Sequence, residues 1–307
     1  MYLFCHPSAL SNIPWLDRND RLSDNADKKR LFGKGMVIEM IYPIKEGKEA
    51  AALFAGWEES LIWSCLQGVM GHIYGDAQEN PKSAMAILGD FIFFAGEPDR
   101  ELAAFKPGWC IQDFIIAVPQ THRWADMLET CYAGRARKVT RYAMKKEPDV
   151  FDKGRLQEIV AGLSAEYTIC LIDEKLYGEC RKEDWCRDFT AQFSDWETYR
   201  QQGLGVMILK DGMPVAGASS YSAFGPWDIG GRGEKRGGIE IEIDTREEYR
   251  RRGLAFVCGA RLILECLDRG LYPSWDAQNL WSVALAEKLG YHFDYEYTAY
   301  EIRGEKA

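Results

Sequence analysis

Apolar positions along this chain recur with two different periods, and the changes of period mark its elements. Between Glu46 and Met70 they follow helical spacing through Ala50, Leu53, Phe54, Trp57, Leu61, Ile62, Cys65 and Leu66. The polar run Glu58-Glu59-Ser60 predicts a break between two helices there. Ala84 to Ala95 reads as strand, ending at Gly96-Glu97-Pro98, and Phe114 to Val118 reads as another ahead of Pro119. A helix through Trp124, Met127, Leu128 and Cys131, then an alternating strand from Lys138 to Met144, complete a first unit over residues 39–150. Its mixture of helices and strands predicts an α/β (α+β) class. Residues 1–38 are polar and irregular and read as a tail; their Gly33-Lys34-Gly35 lacks the spacing of a phosphate loop.

Residues 151–307 repeat that order. Tyr167 to Ile172 is a strand and Glu174 to Tyr199 is helical. A hairpin then runs from Leu204 to Leu209, turns at Lys210-Asp211-Gly212 and returns from Pro214 to Tyr221, Asp-Gly being a strong turn signal. The glycine-rich stretch from Gly225 to Gly238 reads either as a surface loop or as a lid over an acceptor site.

Three elements then follow in immediate succession. Ile239-Glu240-Ile241-Glu242-Ile243-Asp244 alternates with period two, which puts three isoleucines on one face of a strand and three carboxylates on the other. Arg250-Arg251-Arg252-Gly253-Leu254-Ala255 opens a helix running to Leu267. A strand from Tyr272 to Ala277 leads to Asn279 and a helix ending at Leu289-Gly290-Tyr291. A strand entering a helix through a glycine turn aims free backbone N–H groups at one point, where the helix dipole adds positive potential. Such a point suits an anion such as a pyrophosphate, with the three arginines available for bidentate contacts.

Composition narrows the field. The 307 residues are 47% hydrophobic and 28% charged, an ordinary globular balance. No apolar run is long enough to span a bilayer, and no secretory signal is evident, so a cytoplasmic protein without a membrane partner is expected. A net charge of -9 argues against nucleic acid and agrees with an amine-bearing substrate. The nine cysteines and four histidines show no metal-ligand spacing, so no metal is expected.

The order strand, R/Q-x-x-G-x-G/A, helix, strand, Asn, helix resembles the GCN5-related N-acetyltransferase family. Arg250, Gly253 and Ala255 fill that motif, Asn279 with Ser282 matches Asn-x-x-Ala/Ser, and Glu287-Lys288-Leu289-Gly290-Tyr291 matches the closing E-K-x-G-F/Y. These motifs cover about the last 140 residues. The wording from Ile239 to Tyr300, with the region from Trp57 to Ala95, further resembles the zwittermicin A resistance-like acetyltransferases, a likeness reaching from about Met40 to the end.

That resemblance implies an acyl-CoA N-acyltransferase fold in the C-terminal half, a mixed twisted sheet with helices on both faces. It implies a degenerate copy of the same type in the N-terminal half, which has no R/Q-x-x-G-x-G/A sequence. It implies acetyl-CoA as co-substrate, the backbone of Ile243 and Asp244 pairing with the pantetheine arm, and Arg250 to Ala255 with Asn279 and Ser282 holding the rest. It also implies direct attack by a small-molecule amine, an antibiotic among the candidates. A weakened CoA-binding or regulatory module and a protein N-acetyltransferase stay open as alternatives. Glu240 and Glu242 are the candidate bases, Glu240 slightly favoured, although strand carboxylates also commonly just face solvent. The family often places a proton-donating tyrosine where this chain has Ala286, which leaves Ser282 or Tyr221 as replacements, or no acid at all, a CoA thiol being a tolerable leaving group. Phe224, Trp227, Trp275 and Asp276 are candidate acceptor contacts, although a tryptophan placed like Trp275 is more often core, and Asp276 and Asn279 also read as helix caps. Monomer and homodimer are both compatible with the sequence.

Overall fold

The structure, a computed structural model, describes residues 41–304 except Arg232, so the expected tail over residues 1–38 lies outside the described residues. In the first half, β1 (Tyr42–Ile44) is followed by two short 3-10 turns and α1 (Ser60–Gln67). The break falls at Glu58–Ser60 as expected, and Glu59 caps α1 by accepting from the Leu61 N–H. The segment before it winds as 3-10 rather than α-helix. Next come β2 (His72–Gly75), β3 (Ser83–Leu88), β4 (Phe91–Gly96), α2 (Arg100–Ala104), β5 (Phe114–Pro119), α3 (His122–Cys131) and β6 (Ala136–Met144). The apolar run from Ala84 to Ala95 is thus two strands of a tight hairpin. Gly89 makes the turn at φ 61°, with the Tyr221 hydroxyl seated where a Cβ would lie.

The second half comprises α4 (Lys153–Ala161), β7 (Tyr167–Leu171), α5 (Glu174–Cys180), α6 (Trp196–Gln202), β8 (Gly205–Lys210), β9 (Met213–Asp228) and β10 (Lys235–Thr245). After these come α7 (Leu254–Asp268), β11 (Tyr272–Ser274), β12 (Asp276–Ala277), α8 (Leu280–Leu289) and β13 (Phe293–Arg303). The β8–β9 turn has Asp211 and Gly212 at φ 51° and 80°, the positive pair a two-residue hairpin requires. The glycine-rich stretch is neither loop nor lid for most of its length: it completes β9 and begins β10. Trp227 stacks on Trp63 of α1 at 5.4 Å, and Phe224 meets the same ring edge-on.

Two sheets result, in the orders β1-β2-β3-β4-β5-β13-β6-β12 and β11-β10-β9-β8-β7. Only β4–β5 and β10–β11 pair in parallel. The division at residue 150 is not the division between sheets, because β12 and β13, from the second half, lie in the first sheet. Helix α1 lies between the halves, its Ser64 hydroxyl donating to the Ala223 carbonyl of β9 at 2.7 Å. The isoleucine face of β10 and the inner face of α7 share one core, with Ile239, Leu262 and Ile263 fully buried.

Candidate active site

The site begins where β10 ends. Between Thr245 and α7 the chain makes a 3-10 turn and then a tight turn with Arg251 at φ 61° and Gly253 at φ 78°. Helix α7 therefore starts at Leu254 rather than at Arg250. Gly253 occupies its N-cap position, so no side chain closes the first-turn N–H groups. A Cβ built on Gly253 would meet nothing within 4 Å, which leaves an open cradle in front of those donors. Arg250 braces the turn from behind: its Nε donates to the Thr245 carbonyl at 3.0 Å and its guanidinium reaches Asp244 at 3.3 Å. Arg252 is likewise turned back, onto the Glu248 carbonyl. Exposed Arg251 makes no hydrogen bond or ion pair among the described residues.

Beside this cradle the sheet parts. β10 pairs with β11 over Gly238, Ile239 and Glu240 only. The chain then breaks at Trp275, and β12 crosses to pair with Tyr142 and Ala143 of β6. The expected strand from Tyr272 to Ala277 is thus two short ones, serving different sheets. Arg141 of β6 holds the displaced strand, its Nε donating to Asp276 Oδ1 at 2.8 Å while Tyr297 donates to Oδ2 at 2.8 Å. From Ile241 onward, the edge of β10 facing β11 has lost its partner strand. Its peptide groups can take an extended ligand as an added strand.

A cavity opens at this parting. Glu59, Leu61, Phe91, Phe93 and Arg141 from the first half line it, opposite Tyr221, Glu240, Ile241, Glu242 and Asp276 from the second. Three consecutive residues of β10 reach it because β9 bulges at Tyr221, shifting the register between Glu240 and Ile241. The sequence profile of the GNAT acetyltransferase family matches residues 51–300.

The chain belongs to this family.

Its members use acetyl-CoA, and the uncapped α7, the space at Gly253 and the unpaired β10 edge fit that co-substrate. A GCN5-related N-acetyltransferase-like protein from Streptococcus suis 89/1591 is 46% identical, with a TM-score of 0.76 over 84% of this chain and 99% of that one. An uncharacterized N-acetyltransferase of Bacillus subtilis (strain 168), YdfB, is 26% identical over 251 residues, 78% of this chain and 89% of its own. A tandem GNAT protein from the clavulanic acid biosynthesis pathway shares the fold, at 11% identity and a TM-score of 0.50 over 86% of this chain and 99% of its own.

Within this GNAT acetyltransferase the two candidate bases have different surroundings. Glu240 is buried and Glu242 is half-buried. Glu240 is 5% exposed, its Oε2 takes a short hydrogen bond from the Ser60 hydroxyl, and its Oε1 is buried without a partner among the described residues. Burial raises its pKa, opposed by the Lys146 ammonium and by the Ser60 and Ser274 hydroxyls. Glu59 is raised by burial and by the Glu240 charge. Burial works against the Lys146 ammonium, but Glu240 and Glu59 outweigh it and hold its pKa above the ordinary lysine value. Glu242 makes no hydrogen bond among the described residues and opens onto the cavity. Burial, then the charges of Asp188, Asp244 and Asp90, push it up to about 8, with Arg141 opposing.

The remaining candidates scatter. Asn279 caps α8 through the Ser282 N–H at 3.0 Å, and the Ser282 hydroxyl accepts from Trp275 Nε1 at 3.1 Å. Trp275 is core, 2% exposed, and Phe224 and Trp227 pack on Trp63; of the four proposed acceptor contacts only Asp276 lines the cavity. Ala286 is fully buried. Tyr221 lines the cavity, yet its O–H donates to Asp90 while the Asp90 N–H donates back to its oxygen at 3.2 Å, so its proton is engaged. Reading the sequence for function missed Glu59, Ser60, Phe91, Phe93, Arg141 and Lys146. The one signal was the acidic pair at the start of α1, legible there only as a helix break.

Among the described residues no group of three His, Cys, Asp or Glu side chains is placed to hold a metal ion. No helix among them is long and apolar enough to cross a membrane.

Proposed function

We propose that this protein acetylates a primary amine of a small, cationic molecule by direct attack on acetyl-CoA, with Glu242 as the base. The observation that carries the reading is the acidic cavity at the parting of β10 and β12, half of it built by the other half of the chain. Ile243 and Asp244 would hold the pantetheine arm through their peptide groups. The α7 amides and Arg251 would hold the phosphates, with Asn279 and Ser282 at the start of α8 as further contacts. The co-substrate supplies a thioester as acyl donor.

An amine reaches the site as its ammonium and must lose a proton before it can attack. A carboxylate with a pKa near 8 suits that task better than one anchored to Ser60 beside Lys146, which moves the preference from Glu240 to Glu242. The proton then held on Glu242 is available to the departing thiolate, so that neither Tyr221 nor a residue at position 286 is needed as acid. Phe91 and Phe93 give the cavity an aromatic wall that suits the hydrocarbon part of an amine, the Phe91 face itself being taken by the Arg141 guanidinium. The resemblance to zwittermicin A resistance-like enzymes supports an antibiotic or similar amine.

Thiol release from acetyl-CoA, screened over small amines and amine-bearing antibiotics, tests the reading. Turnover with at least one of them is expected. Tight CoA binding without turnover on any amine would mark a CoA-binding module instead, and turnover on peptides alone would mark a protein acetyltransferase.

A further inference from the structure

The cavity gathers more carboxyl groups than transfer to a single amine requires, and they are divided. Asp276 is already satisfied, both its oxygens being taken by Arg141 and Tyr297. Of the rest, Glu59 and Glu240 form one group and Glu242 stands apart from them, opening towards Asp90 and Asp188. Lys146 offsets one charge of the first group and donates to Ser274 at 2.8 Å; the Ser274 hydroxyl also approaches Glu240, yet Glu240 Oε1 keeps no hydrogen-bond partner among the described residues. A carboxylate oxygen so buried is a strong demand for a partner. Glu240 and Glu242 are two residues apart on one strand, which sets their Cα atoms about 6–7 Å apart. Phe91 and Phe93, their rings stacked at 5.9 Å, line the wall of the same cavity.

We propose that the acceptor is a dication: two amines about 6–7 Å apart on a hydrocarbon spacer, the reacting one at Glu242 and the other anchored by Glu240 Oε1 and Glu59. This inference rests on the acyl-transfer reading of the site. The anchored ammonium supplies the donor that Glu240 lacks, and the spacer lies along Phe91 and Phe93. A monoamine of the same length leaves that end of the cavity unpaired and desolvated, so the difference between the two is a specificity device.

The test compares thiol release from acetyl-CoA with diaminobutane and diaminopentane against butylamine and pentylamine. One of the diamines should exceed its monoamine in kcat/KM by about thirtyfold or more, the usual scale of a buried charge pair. Glu59→Gln should narrow that preference, through a diamine KM raised about tenfold. Equal kcat/KM for diamines and monoamines would overturn the dication while leaving amine acetylation intact. If no amine is turned over, the acyl-transfer reading fails. Calorimetric titration of diaminobutane and butylamine into the unaltered protein saturated with CoA then decides the dication separately. Tighter binding of the diamine supports it, and equal or absent binding of both overturns it.

Discussion

The strands β4 and β5 run parallel, as do β10 and β11, and the helices that follow β4 and β10 hold corresponding places in the two sheets. β4 stays paired from Phe91 opposite Ile116 to Phe94 opposite Pro119. Its following turn is closed: a Cβ on Gly96 would lie 2.1 Å from the Lys82 carbonyl oxygen, and Asp99 caps α2 by accepting from the Leu102 N–H at 2.7 Å. β10 loses its neighbour after three residue pairs, and its following turn faces open space with an uncapped helix beyond. A carboxylate at a helix start occupies its donors and repels an anion; a glycine there leaves the donors free. One topology thus gives a closed turn in the first half and an open one in the second. The difference comes down to one missing strand partner and one missing cap.

Substitutions at the two places should separate them. The largest expected effect is on the chemistry at the open one: Glu242→Gln should lower kcat by roughly a hundredfold to ten-thousandfold with CoA affinity nearly unchanged. Steady-state kinetics beside CoA titration would check it, and full activity across pH in that variant would remove Glu242 as base. Next, Gly253→Val puts a branched side chain at φ 78° in the cradle, and should weaken CoA binding by about 2–4 kcal/mol in a folded protein. Unchanged affinity by calorimetry would break the contrast at its centre.

A smaller effect is expected on stability against pH. The folded protein keeps a proton on Glu242 up to about 8, whereas the unfolded chain releases it near 4.5. Its contribution is therefore full below the ordinary carboxylate range and is lost as pH rises through about 8. Thermal melts from acid to mildly alkaline pH should show this decline, and Glu242→Gln should flatten it. Smallest of all, Asp99→Ala at the sealed turn should cost about 1 kcal/mol of stability with CoA affinity untouched. A change in CoA affinity there would mean the first half also meets the co-substrate.

The sequence reading reached far at β10 and α7 because the deciding features are local. An alternation of period two, a glycine and an arginine within six residues are enough to mark a strand, a turn and an open helix end. The turn at Asp211-Gly212 was legible for the same reason. The cavity was not, because its two walls are remote in sequence: Ser60 meets Glu240 across 180 residues and Tyr221 meets Asp90 across 131. Phe224, Trp227 and Trp275 carried the composition of a binding site, but burial against Trp63 and Tyr291 uses their surfaces. β13 went unread although Tyr295, Tyr297 and Ala299 alternate, since nothing local tells which sheet a strand will join.

That last strand bears on how the protein is made. β13 lies between β5 and β6, so Arg137 of β6 pairs with Glu301 across 164 residues. While the ribosome is still producing the second half, β5 and β6 each present an unpaired edge in the interior of an unfinished sheet. The cores of the first half are completed by Ala299, Tyr300 and Ile302 of β13, so its assembly waits on contacts of very long sequence separation, which slows folding and prolongs exposure of sticky edges. Translation paused or cut short before Phe293 should therefore yield an aggregating chain rather than a folded first domain.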